Sequence, residues 1–345
     1  MKYFAGLDVS LEETAVCIVD ETGDILGEAK VASEPETIVG YLLGTGLPFG
    51  RVGLEACPLS QWLYDGLAAA GLPAVCIEVR HLKAALSAMT NKTDRNDARG
   101  IAQVMRTGWF RAVHVKSTES HELKMLLTSR KLLVNKLLDI ENQIRGSLKV
   151  FGRKVGKVTR RQFEARVLEL IENRPALLAI VQPLLRVRAV IREEYNSLHR
   201  MVLHAARQDA VCHRLMTVPG VGAVVALTYR AAVDVPARFA KSKAVGAHFG
   251  LVPRKHQSGE VDRTGRISKV GDEMVRTALY EAASVMLSRV VRFSALKAWA
   301  LRVANRRGAK KAKVALARKL AVILHRIWID GTTFRWGNEP TATQA

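Results

Sequence analysis

Tyr3-Phe-Ala-Gly-Leu-Asp-Val9 is an apolar run with one carboxylate inside it, and Val52-Gly-Leu-Glu-Ala56 repeats the pattern. Runs of this length and composition predict buried strands. A carboxylate in such a strand is costly unless it is paired, metal-bound or turned to solvent at the strand end. Working outward, residues 14–20 and 25–32 predict two more strands joined across Glu21-Thr-Gly-Asp24. A helix follows from Glu34 with Ser33 as its N-cap. Beyond the second carboxylate strand come a helix (Ser60 to Ala70), a strand (Ala74 to Val79) and a mostly helical stretch over 81–107.

Three strands, a helix, a strand, a helix, a strand and more helix is the element order of a ribonuclease-H-like α/β fold. In that sheet the first and fourth strands are neighbours, so Asp8 and Glu55 are expected side by side. Asn91-Lys-Thr-Asp-Arg-Asn-Asp-Ala-Arg99 adds Asp94 and Asp97. Three apart on a helix, their side chains share a face about 5–6 Å apart at Cβ. Thr93 or Asp94 can equally serve as a helix cap, with acids favoured in the first turn. Four hard oxygen donors in this order suit Mg²⁺ at a phosphodiester.

The remaining chain has a different character. The 345 residues carry a net charge of +21, yet residues 1–100 hold 8 Lys or Arg against 14 Asp or Glu. Residues 101–345 hold 45 against 18, the footprint of a polyanion partner. The longest stretch without a charged residue, Leu215 to Tyr229, is too short for a bilayer and contains Pro219-Gly220. No CxxC pair occurs among Cys17, Cys57, Cys76 and Cys212, which argues for a reducing cytoplasm and against Cys-ligated zinc. From Ser120, Leu123, Leu126, Leu133, Leu137, Ile140, Ile144 and Leu148 form a heptad seam interrupted at Arg130. A second helix is expected from about Leu184 to Arg207. An intramolecular hairpin and an intermolecular coiled coil bury such a seam equally well.

Expected domains are 1–115, a helical 116–210, a mostly helical 211–337 and a disordered tail over 338–345. Val218-Pro-Gly-Val-Gly222 is similar to a helix–hairpin–helix, whose Gly220 and Gly222 let backbone N–H groups approach a phosphate. Ser258-Gly259 lies among Arg254, Lys255, His256 and Arg263, where a serine is ordinarily a turn residue.

Gly6-Leu-Asp-Val-Ser10, Leu54-Glu-Ala56, Lys92-Thr-Asp-Arg-Asn-Asp-Ala98, Val218-Pro-Gly-Val-Gly222, Gly250-Leu-Val-Pro253, Ser258-Gly259 and Ser268-Lys-Val-Gly271 together resemble, in pattern and order, the DEDD transposases of bacterial insertion sequences, the RNA-guided bridge recombinases. The resemblance spans Tyr3 to about Trp336 and departs from the family at Cys57-Pro58, where a glycine is usual. It implies a RuvC-like domain with Asp8, Glu55, Asp94 and Asp97 as a Mg²⁺-binding tetrad, a coiled-coil middle, and Ser258 as nucleophile. It implies donor and target DNA and a structured noncoding guide RNA as partners, with no membrane. Arg254, Lys255, Arg263 and Lys269 would contact nucleic acid. The tetrad of one protomer and the serine of another would meet within a dimer of dimers. Two rivals share parts of the pattern. A junction-resolving nuclease needs the carboxylates alone, and a non-catalytic binder needs only the basic region.

Overall fold

The computed structural model describes residues 1–87 and 91–337, so the tail expected over 338–345 lies outside the described residues. The chain divides into two compact units, Met1–Lys116 and Ser117–Ala345.

The first unit runs β1 (Tyr3–Val9), β2 (Glu13–Val19), β3 (Ile25–Ala32), α1 (Pro35–Gly44), β4 (Phe49–Glu55), α2 (Ser60–Ala69), β5 (Ala74–Ile77), α3 (Val79–Leu86) and α4 (Asp94–Thr107). Its sheet has the order β3-β2-β1-β4-β5. The first three strands are antiparallel, while β4 joins β1, and β5 joins β4, in parallel. The first and fourth strands are therefore neighbours, as a ribonuclease-H-like sheet requires. Alternation divides the core in two. Ala5, Leu7, Val52 and Leu54 face Ile38 and Leu42 of α1 and Leu63 and Leu67 of α2. Phe4, Cys17 and Val19 face Ile101, Ala102 and Met105 of α4. Ser33 does not cap α1: the N-cap is Glu34 without a side-chain bond. The Ser33 hydroxyl instead bonds Thr14 (2.8 Å) and the Ser10 carbonyl (2.9 Å), closing the β2–β3 end.

The second unit runs α5 (Thr118–Lys149), α6 (Phe163–Ile171), α7 (Pro175–Gln208), α8 (Ala210–Met216), α9 (Ala223–Val233), α10 (Lys243–His248), β6 (Pro253–Ser258), β7 (Val261–Ile267), α11 (Glu273–Ser288), α12 (Ala295–Arg307) and α13 (Ala309–Asp330). α5 packs along α7, so the leucine seam is covered within the chain. Leu137, Ile144 and Leu148 are buried there. Arg130, the polar interruption, reaches Tyr195 (3.0 Å) and His199 (3.2 Å) on α7, which satisfies its guanidinium. α7 begins at Pro175, earlier than its apolar periodicity suggested, and continues through Pro183. A third helix absent from the sequence reading, α6, buries Phe163 under Arg188, which pairs with Glu141 at 2.8 Å. The main core gathers Leu127, Val202, Leu215, Tyr229, Phe249, Leu279, Leu316 and Leu320 from seven segments of the chain. All four cysteines are free. Among the described residues no helix is long and apolar enough to cross a membrane.

Candidate functional site

The acidic residues are positioned by two glycines. Gly6 of β1 pairs with Gly53 of β4. A Cβ at Gly6 would collide with backbone atoms of Ala98 and Ala102, and one at Gly53 with the Met105 side chain, so α4 lies directly against this part of the sheet. With a period of two, Asp8 and Glu55 share the face of Gly6 and Gly53, one step nearer the C-terminal strand ends. α4 starts at the Thr93 cap, whose hydroxyl accepts from the Asn96 amide (3.2 Å). The cap leaves Asp94 and Asp97 in the first turn, immediately before the Ala98 that touches β1.

The electrostatics record this convergence. Asp8 is half-buried, and its carboxyl is pushed up to about 6 by burial, then by the negative charges of Asp97, Asp94 and Glu55, with Lys92 opposing. Burial also raises Glu55; Asp97 adds to the rise, while Lys83 and Lys92 counter it. Asp94 lies 3.8 Å from the Lys30 ammonium. The set is oxygen-only and under-neutralised, the donor chemistry of a hard divalent cation. Among the described residues, however, no three Asp, Glu, His or Cys side chains close on one point tightly enough to ligate a metal.

A fifth carboxylate, Glu28 of β3, was not singled out by sequence. Arg99 (2.6 Å) and Arg95 (2.9 Å), one turn apart on α4, both donate to it. These bonds hold its carboxyl down to about 2. Glu28 is thus already neutralised and fixes α4 on the sheet rather than offering a ligand site. The i, i+4 arginine pair was the available signal.

Ser258 lies elsewhere, at the tip of the β6–β7 hairpin. Its partner across the turn is Val261, and Gly259 takes φ +53 between them. The expected loop in a mostly helical domain is therefore a two-stranded ribbon, every residue of β6 being exposed. His256 opposes Arg263, so by alternation Ser258, His256 and Arg263 share one ribbon face. Lys255 instead pairs with Asp262 at 3.1 Å on the other face. The base of the ribbon is clamped. Lys269, in the left-handed region at φ +57, donates its amide to Gly250 (3.1 Å), and the Arg276 guanidinium donates to Val270 and Gly271 carbonyls (2.9 Å each). Arg254 is partly engaged as well, donating to the Ser268 carbonyl (3.2 Å).

The two glycines of the Val218–Gly222 turn have different surroundings. Gly220, at φ +85, approaches α11 so closely that a Cβ would strike the Ala282 carbonyl. Its freedom serves packing against α11. Gly222 is the exposed glycine, at the N-cap of α9 with no atom crowding its missing Cβ.

Two family models match this chain. Residues 5–152 match a family described as transposase, and residues 212–298 match the transposase IS116/IS110/IS902 family. A transposase for insertion sequence element IS1111A from Coxiella burnetii is 31% identical over 339 residues, covering 96% of this chain and 91% of the relative. The transposase for insertion sequence element IS1328 from Yersinia enterocolitica is 25% identical, covering 82% of this chain and 85% of its own length. Among solved structures, Thermus thermophilus RuvC in complex with a Holliday junction substrate aligns at 15% identity over 33% of this chain and 100% of its own, with a TM-score of 0.26. That score is too low to carry the fold, which rests on the strand order above. The near full-length identity to the Coxiella enzyme, together with family matches in both units, means that the chain belongs to the transposase IS116/IS110/IS902 family.

Proposed function

We propose that this transposase excises and inserts its element by serine-mediated DNA strand exchange, guided by a structured noncoding RNA. Ser258 is the nucleophile: its Oγ forms a bond to the scissile phosphorus as the P–O3′ bond breaks. The serine proton leaves to solvent and the freed 3′ oxygen takes one up, giving a phosphoserine ester that the incoming 3′ hydroxyl later resolves. Arg263, Arg254, Lys255 and Lys269 supply phosphate contacts along the ribbon, and Gly222 offers a backbone approach at α9.

Asp8, Glu55, Asp94 and Asp97 would hold a divalent cation, Mg²⁺ in this reading. When bound, it supplies positive charge at the scissile phosphate and the departing oxygen. The oxygen-only donor set and the raised Asp8 carboxyl fit such an ion. The assembly is a homotetramer, a dimer of dimers, acting on donor and target DNA.

The observation that carries the reading is the serine at the tip of a basic ribbon with a clamped base, in a chain that also gathers four carboxylates on one sheet face. The experiment is Ser258→Ala. It should abolish recombination and any protein–DNA adduct that survives denaturant, while sparing DNA binding, since one hydroxyl contributes at most about 1 kcal/mol. Ser242→Ala and Ser268→Ala should keep the adduct; the Ser242 hydroxyl is already bonded to His325 (3.0 Å). Normal recombination by Ser258→Ala, with Asp8→Asn dead, would replace strand exchange by the water-activating nuclease chemistry of a junction resolvase.

A further inference from the structure

The helices α12 and α13 and the segment that follows them enclose a groove of about 540 Å³, within the size range of small-ligand sites. None of the sequence motifs lies in it. Its lining combines two aromatic rings, Trp299 and Phe334, with three cations, Lys319, Arg326 and Arg335. One acid, Asp330, is present and lies 3.6 Å from Arg326. The Lys319 ammonium stands 3.8 Å from the centre of the Trp299 ring. Burial and then Arg302 lower the affinity of Lys319 for its proton, a penalty that an approaching anion relieves.

The outer wall is not a loose tail. The Phe334 amide donates to the Thr217 hydroxyl (2.9 Å), in the turn between α8 and α9. Phe334 also packs edge-on to Trp336, which carries Arg292 over its face at 4.3 Å. The surroundings are one-signed: twelve Lys or Arg and no acid lie between Glu281 and Asp330.

A groove with ring faces inside and cations at its edge suits a ligand that is aromatic and anionic in one unit. A duplex hides its base faces in the stack, so only an unpaired nucleotide offers both. We infer that the groove around Trp299, Lys319 and Phe334 binds an unpaired nucleotide of DNA or RNA, its base against the rings and its phosphate toward Lys319, Arg326 and Arg335. The inference rests on the proposed action on nucleic acid, but not on Ser258 or the carboxylates.

The test uses the full-length protein and anisotropy of labelled dodecathymidylate, dodecauridylate and a DNA duplex of equal length. Trp299→Ala should weaken binding of single strands about tenfold, as loss of one base stack does, and duplex binding less than twofold. Trp299→Phe should restore most of the loss. Lys319→Gln and Arg335→Ala alter exposed side chains, so their folding is secure. Each should weaken single strands severalfold and lower the salt slope by about 0.7, as for one phosphate contact. Loss on thymidylate or on uridylate alone identifies DNA or RNA as the source of the nucleotide. Unchanged strand affinity in all these variants, or equal losses on strands and duplex, would overturn the inference. Normal recombination by Ser258→Ala would overturn strand exchange alone and leave this strand preference standing.

Discussion

The two units of this transposase place their reactive groups by opposite means. In the first, Asp8, Glu55, Asp94 and Asp97 come from the ends of regular elements, held in place by the close packing of α4 on Gly6 and Gly53. The result is a cluster in which burial and the neighbouring negative charges push up the Asp8 carboxyl. In the second, Ser258 sits on a ribbon whose base is clamped and whose face is wholly solvated. Nothing there is strained by its neighbours, and its chemistry depends on what binds the ribbon. Carboxylates gathered at packed element ends need order in the free protein; the proposed nucleophile, on a solvated ribbon, needs reach.

The largest effect expected from this contrast is in nucleic-acid affinity. Residues 1–116 hold 14 acidic and 11 basic residues, whereas residues 117–345 hold 18 acidic and 42 basic. Each unit has its own buried clusters, which makes separate fragments testable. A fragment of residues 117–345 should bind DNA and lose on the order of a thousandfold in affinity between about 50 and 200 mM salt, as about six phosphate contacts require. Residues 1–116 should show no comparable binding. A flat salt response, or tighter binding by the first fragment, breaks the comparison.

Packing gives the next effect. Gly6→Ala drives a methyl into the backbone of Ala98 and Ala102, which cannot rotate away. It should lower stability by about 1–3 kcal/mol and displace the first turn of α4, so strand cleavage falls with the melting temperature. Gly53→Ala meets only the Met105 and Ile101 side chains and should cost less. Gly250→Ala, at φ +66 against the Val270 backbone, should instead unseat the ribbon and leave the first unit's metal response intact. Equal melting temperatures for Gly6→Ala and wild type would remove the glycine seat from the account.

The same glycines explain what was legible in the sequence. Strand order and the carboxylate strands could be read because alternation and turn residues are local signals, and each strand of the first unit starts and ends within a few residues of its expectation. The Thr93 cap and the Asp94–Asp97 turn are local too. The ribbon was missed because Arg254 to Arg266 has Val261 as its one large apolar residue and neither face buried, so no period of two marks it. α6 was missed because it spans only nine residues, and the residues of α5 and α7 that cover Phe163, Val167 and Ile171 are distant in sequence. The close approach of Gly220 to α11 was not legible, because a glycine in the sequence does not say what packs against it. The Trp299 groove is formed by the packing of α12, α13 and the segment after them, and no spacing announces it.

The smallest effect separates the cluster from an ordinary surface. The Asp8 carboxyl rises from its usual 3.8 to about 6 in the folded chain. A shift of that size corresponds to about 3 kcal/mol, and solvent screening of a half-exposed group reduces it to about 1 kcal/mol. The folded state holds this proton more tightly than the unfolded chain does. Its stabilisation is full below pH 3.8 and is lost as pH rises through 6. Asp8→Asn removes the titration, so without divalent metal it should melt higher than wild type at about pH 8, with the gain shrinking between pH 6 and 4. Added Mg²⁺ should raise the melting temperature of wild type more than that of Asp8→Asn, narrowing the gap. A lower melting temperature for Asp8→Asn at about pH 8 without metal would show that Asp8 is held by favourable partners rather than by three repelling carboxylates. The contrast between a strained first unit and a relaxed second one would then fail at the residue that should show it most.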